Sequence, residues 1–169
     1  MRTISKWSLV LFGWTLMFLS GCAPVLSSGV IQQSDTSVTF PDLVRTPANY
    51  TGKTVVLGGT IINLKDLATG TELEVLQRPL GYRMEPLLND QSGGRFLVLF
   101  DQFLDDKIYE RGRKITLAVK VVGSETRSLE GIQYTYPILK EKEHYLWPKV
   151  GRYYSDPRFY FGIGINHSF

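Results

Sequence analysis

Cys22 is the residue with the most definite chemistry in this chain. It closes Leu19-Ser20-Gly21-Cys22, which has the form of a bacterial lipobox. In that pattern the thiol is first diacylglycerylated, the peptide is cut before the cysteine, and the new amine is then acylated. Cys22 is also the only cysteine present, and a secreted chain with one leftover thiol calls for an explanation that lipidation supplies. The competing readings are a plain secretory signal with an accidental cysteine and a signal anchor that stays uncut. A single acyl chain anchors only marginally, at ~0.8 kcal/mol per buried methylene, whereas three chains hold a protein essentially permanently. No other cofactor is implied beyond the covalent diacylglycerol and N-acyl chain on Cys22.

The remaining chemistry-bearing side chains are sparse. There are two histidines, His144 and His167, and Glu141-x-x-His144 would set two metal ligands on one helical face. No further His or Cys is available to complete a transition-metal site, so a solvated charged turn after the last strand is the better reading, and no metal site is expected. With Cys22 acylated no thiol nucleophile is left, and no serine sits in a Gly-x-Ser-x-Gly elbow. The chain also lacks a glycine-rich phosphate loop. An enzyme is therefore not expected, and no catalytic residue is assigned. A possible ligand face is formed by Tyr134 and Tyr136, two residues apart on one strand, with Arg78 and Arg95 as donors. Core tyrosines and surface charges are the plainer alternative.

The elements that position these residues begin with the leader. Arg2 and Lys6 precede an apolar run from Trp7 to Leu19, too short to span ~30 Å of hydrocarbon comfortably, so residues 1–21 read as a signal peptide. Removing it takes the net charge from +3 to +1, because Arg2 and Lys6 leave with it. A near-neutral mature chain has no concentrated basic face, and no nucleic acid partner is expected. At 43% hydrophobic and 12% aromatic residues, the composition is that of a folded domain. Ala23 stands where an aspartate commonly signals inner-membrane retention. The expected address is the periplasmic face of the outer membrane, with membrane lipid as the partner of Cys22 and an envelope protein as a possible second partner.

Residues 22–45 are rich in small and polar types without sustained periodicity, and read as a lipidated tether. Thr46-Pro47-Ala48-Asn49-Tyr50 has the N-cap and proline of one short helical turn. Period two then takes over. Thr54–Asn63 places Val55, Leu57 and Ile61 on one face, and its Gly58-Gly59 pair predicts a strong bend or close backbone approach. Thr71–Gln77, Arg95–Phe100, Lys114–Gly123 and Gly131–Leu139 supply four more strands, with Pro137 marking an edge or an end of the last. Phe103, Leu104 and Ile108 lie at helical spacing before Gly112, which predicts a short helix within 101–111.

That order predicts an all-β domain over residues 46–147: a small five-stranded OB-like barrel with one short helix between strands 3 and 4. A plain five-stranded sandwich or meander is the rival, and the glycine bend in the first strand favours the barrel. Such barrels bind oligomeric ligands on one sheet face, so a module for glycan or another envelope polymer, acting through Tyr134 and Tyr136, is the alternative function. Residues 148–169 form an aromatic tail with Phe159, Phe161, Ile163, Ile165 and Phe169 alternating. It reads either as a docking strand for a partner or as an extra strand packed on its own domain.

Leu19–Cys22, Gly52–Gly59, Leu73–Leu80, Gly94–Leu97, Gly112–Thr116 and Tyr136-Pro137, in this order and spacing, make the chain similar to the Slp family of outer-membrane lipoproteins. The resemblance covers most of the chain, from the signal to about Trp147. It implies an acylated Cys22, outer-membrane residence, a small β domain and induction in starvation and stationary phase. It implies no catalytic residue. The expected function is that of a non-enzymatic structural or interaction component of the envelope.

Overall fold

The computed structural model describes residues 24–149. Two short helices, α1 (Ser28–Gln32) and α2 (Phe40–Arg45), and a 3-10 turn (Pro47–Tyr50) precede five strands. These are β1 (Thr54–Leu67), β2 (Gly70–Arg78), β3 (Arg95–Phe100), β4 (Lys114–Leu129) and β5 (Ile132–Leu146). They close into a barrel in the order β1-β2-β3-β5-β4, with β3 and β5 parallel and every other pair antiparallel. This is the strand order of the OB-fold, and it excludes the sandwich and the meander.

The Gly58-Gly59 bend is where β1 passes from one neighbour to the other. Thr54–Thr60 pairs with β4 and Gly58–Leu67 pairs with β2, so the two ladders overlap only at Gly58–Thr60. A Cβ on Gly59 would run into the Leu76 carbonyl oxygen and the Val75 side chain, and a Cβ on Gly58 into Leu80. At Gly59 glycine is required because a backbone approaches this closely, whereas at Gly58 the obstacle is a side chain. Inward-facing residues of all five strands, among them Ile61, Leu73, Val75, Phe96, Val98, Ile115, Leu117, Val119 and Leu139, make one core.

Three expectations need correction. Residues 101–111 form turns and not a helix: Leu104 is buried, but Phe103 and Ile108 are 65% and 49% exposed, so the helical spacing has no apolar surface to pack on. The short helices stand before β1 instead. From residue 24 onward the supposed tether is folded onto the barrel. Phe40 and Leu43 enter the main core, and Leu26 and Val30 cover Ala118 on the outer face of β4. Ser27 Oγ caps α1 by accepting from the Val30 N–H, and Asp42 accepts from the Thr39 N–H at 3.1 Å at the start of α2. Finally, β5 continues well past Pro137. The proline sits at an edge, as one of the two expected placements has it: it lies just before the β3 ladder starts at Leu97–Ile138, where β4 is its only neighbour among the described residues, so its missing N–H costs no bond to β3.

The ends of β4 and β5 extend past the barrel as a two-stranded arm, residues 124–137, turned by Glu130 and Gly131, both at positive φ. The leader (1–21), Cys22 and the tail from residue 150 lie outside the described residues. Among those described, no helix is long and apolar enough to cross a membrane.

Candidate functional site

The arm folds back over the face of β2 and β3, and this decides what the predicted ligand residues do. Tyr134 and Tyr136 do share one face of β5, with ring centroids 4.7 Å apart. Tyr134 Oη accepts the Arg95 N–H at 2.7 Å, and Tyr136 Oη donates to Glu74 Oε1 at 3.3 Å. Arg95 Nη1 meets the same Glu74 oxygen at 2.9 Å. Tyr136 is only 4% exposed, and burial followed by the Glu74 charge pushes its pKa above that of a free phenol. Arg78 is not with them: its guanidinium donates to the carbonyls of Asn89 and Gln91 in the β2–β3 loop.

Further along the arm, Arg127 makes a two-pronged contact with Glu72, Nη1 to Oε1 and Nη2 to Oε2, both at 2.7 Å, and a second pair with Glu125. The hydrogen bonds from Glu72, then those from Glu125, hold the Arg127 pKa above its usual value, and Arg127 in turn lowers that of Glu125. Ligand-binding barrels of this fold use the strand 2–3 face and the β4–β5 loop. Here the β4–β5 arm covers that face and satisfies its polar groups.

Glu141 and His144 are also brought together, by a mechanism other than the expected helical face or charged turn. Val119 pairs with Glu141 and Ala118 with Glu143, so Lys142 is an extra residue in β5. This bulge brings Glu141 Oε1 within 2.8 Å of His144 Nδ1. An ionised Glu141 can only accept, so Nδ1 carries a proton; in the neutral ring Nε2 then accepts the Tyr109 hydroxyl, also at 2.8 Å. Burial and the Glu141 charge raise the Tyr109 pKa. Phe100 meets the imidazole edge to face at 5.3 Å. The chain of bonds fastens the β3–β4 loop to β5. No group of three or more His, Cys, Asp or Glu side chains able to hold a metal occurs among the described residues.

One cleft, with a cavity of about 370 Å³, was not anticipated. Leu88, Pro148 and residues 110–114 line it, and its cations are Arg111, Arg113, Lys114 and Lys149. Lys149 pairs with Glu110 at 2.9 Å and Lys114 with Glu85. Arg113 donates to the carbonyls of Ile108 and Trp147, its Nε is buried without a partner, and neither it nor Arg111 has a carboxylate partner among the described residues. The sequence signal for it was the run Arg111-Gly112-Arg113-Lys114 at the head of β4.

The model of the Outer membrane lipoprotein Slp family matches residues 19–166, a span that opens on the first residue of the lipobox. The chain belongs to the Slp family. A relative, an uncharacterised protein of Haemophilus influenzae, is 32% identical over 145 residues, covering 84% of this chain and 78% of the relative. Among solved structures, a small single-stranded DNA-binding protein of Streptomyces coelicolor aligns with a TM-score of 0.36 at 13% identity. The mitochondrial single-stranded DNA-binding protein Rim1 of S. cerevisiae aligns at 0.31 and 11%. Each alignment covers 56% of this chain and 94% of the other. The barrel assignment rests on strand order and not on these likenesses. Membership of the family makes this an outer membrane lipoprotein with an OB-type barrel.

Proposed function

We propose that this Slp-family protein is triacylated on Cys22, held in the outer membrane with its β domain facing the periplasm, and serves as a non-enzymatic structural or interaction component of the envelope under starvation or stress. The observation that carries the reading is the lipobox Leu19–Cys22 at the head of the family match. The sparse supply of nucleophiles and bases supports a role without chemistry, as does the use of His144 in fastening a loop.

The anchor is tested by palmitate labelling in growing cells. Label should enter the wild-type protein and be absent from Cys22→Ser, and label that survives the substitution refutes the reading. Orientation is tested by protease: the domain should resist in intact cells and be cut once the outer membrane is permeabilised. The alternative, a glycan-binding module on the Tyr134/Tyr136 face, is disfavoured because both hydroxyls and Arg95 are already engaged within the fold.

A further inference from the structure

Only Ala23 separates Cys22 from Pro24, the first described residue, and two residues of extended chain reach ~7 Å. Leu26 is already buried on the barrel, so the lipid anchor is held close to one face of the domain. Met84, in the β2–β3 loop, packs against the cluster that Leu26 and Val30 form with Ala118. From Met84 the same face continues to Glu85 and its partner Lys114, and then to the basic cleft. It carries apolar and aromatic side chains that nothing among the described residues covers: Tyr82 is 96% exposed, Leu88 is 66% exposed, and Leu87 is also exposed. Among the described residues, four cations line the cleft against one carboxylate, Glu110.

We propose that this face lies on the phospholipid bilayer that holds the Cys22 anchor, with Tyr82, Leu87 and Leu88 at headgroup depth and the Arg111–Lys149 cleft receiving lipid phosphate. The proposal rests on the acylation of Cys22. Three features make lipid the occupant. The anchor is attached two residues before Pro24, next to the Leu26 end of this face. Aromatic and leucine side chains beside cations match the headgroup layer, where apolar bodies and polar ends are both satisfied. Arg111 and Arg113, neither paired with a carboxylate among the described residues, suit the phosphate they would meet there, although Arg113 also donates to two backbone carbonyls.

The test uses the acylated full-length mature protein in vesicles of phosphatidylethanolamine and phosphatidylglycerol, with an environment-sensitive fluorophore on Leu88→Cys or, as control, on Glu130→Cys. Glu130 is exposed at the arm tip, at the far end of β4 from Lys114. The Leu88 label should be several-fold less accessible to iodide than the Glu130 label and should be quenched by brominated acyl chains. In Arg111→Gln/Lys149→Gln the Leu88 label should regain most of its iodide access. A Leu88 label as open to iodide as the control overturns the proposal, and so does one shielded from both quenchers, since protein would then be covering it. Unchanged shielding in the double variant removes the phosphate cleft from the surface. Mass spectrometry of the same sample keeps the two readings apart: unacylated Cys22 defeats the anchor, whereas an acylated protein with a water-exposed Leu88 defeats only the docking.

Discussion

Arg127 is a side chain through which the arm is tied to the barrel, and its removal should be costly. The Glu72 side chain it clasps is 8% exposed, and an unpaired carboxylate there keeps the burial cost without the attraction. Arg127 itself is about one-third exposed, so the loss for Arg127→Met falls between the surface and the buried case, at ~2 kcal/mol. Urea unfolding should show it, with part of the loss recovered in Glu72→Gln/Arg127→Met. Tyr109 and Tyr136 give a second expectation. Their pKa values are raised in the folded state, so the stability they contribute is whole below about pH 10 and is lost as pH rises through the higher folded values. The urea midpoint should therefore fall above about pH 10, and Tyr109→Phe/Tyr136→Phe should flatten that fall. At this scale the sequence was half legible. Period two places Tyr134 and Tyr136 on one face, yet nothing local announces that the Arg95 N–H and the Glu74 carboxylate, on other strands, will occupy their hydroxyls.

Among the elements, β1 was the most legible, since Gly58-Gly59 marks its bend in the sequence and marks the passage from β4 to β2 in the fold. The two glycines should respond differently to alanine. At Gly59 the new Cβ meets a backbone carbonyl that has no freedom to move, and Gly59→Ala should cost ~2 kcal/mol or more as overpacking. At Gly58 the obstacle is the end of the Leu80 side chain in a loop, so Gly58→Ala should cost clearly less in the same urea titration. The helices were illegible for physical reasons. α1 and α2 have five and six residues, too few for a 3.6-residue period to repeat, and only their caps at Ser27 and Thr39 carry a signal. Phe103, Leu104 and Ile108 err the other way, with spacing present and burial absent.

For the molecule as a whole, the segment before β1 behaves as part of the barrel's core. Leu43 is fully buried there, and Leu43→Ala should lower stability by ~3 kcal/mol in a single cooperative transition, where a tether position would lose almost nothing. The same segment carries an acid-sensitive contact. Hydrogen bonds from Lys53 first, and from Ser37, bring the Asp35 pKa down to about 2. A depressed folded value means the contact is whole above the ordinary carboxylate pKa of about 4 and is lost as pH falls toward 2. Amide exchange at Ser37, whose N–H Asp35 accepts, should accelerate over that interval before the barrel amides do, and uniform acceleration would show that Asp35 holds nothing locally.

The order of pairing also sets a schedule. β1 finds one of its two neighbours only in β4, and β3 and β4 both wait for β5, whose pairing ends at Leu146. On the secretory route that the proposed signal peptide implies, the chain crosses the inner membrane before it folds. While it does so, the early strands cannot close a barrel behind themselves, because the staves that seal it are the last to arrive. Non-local pairing is slow for the same entropic reason. What delays folding in a test tube keeps the chain pliable for as long as the crossing lasts, and a truncation before β5 would leave an open sheet with hydrogen-bonding edges for a neighbour to take up.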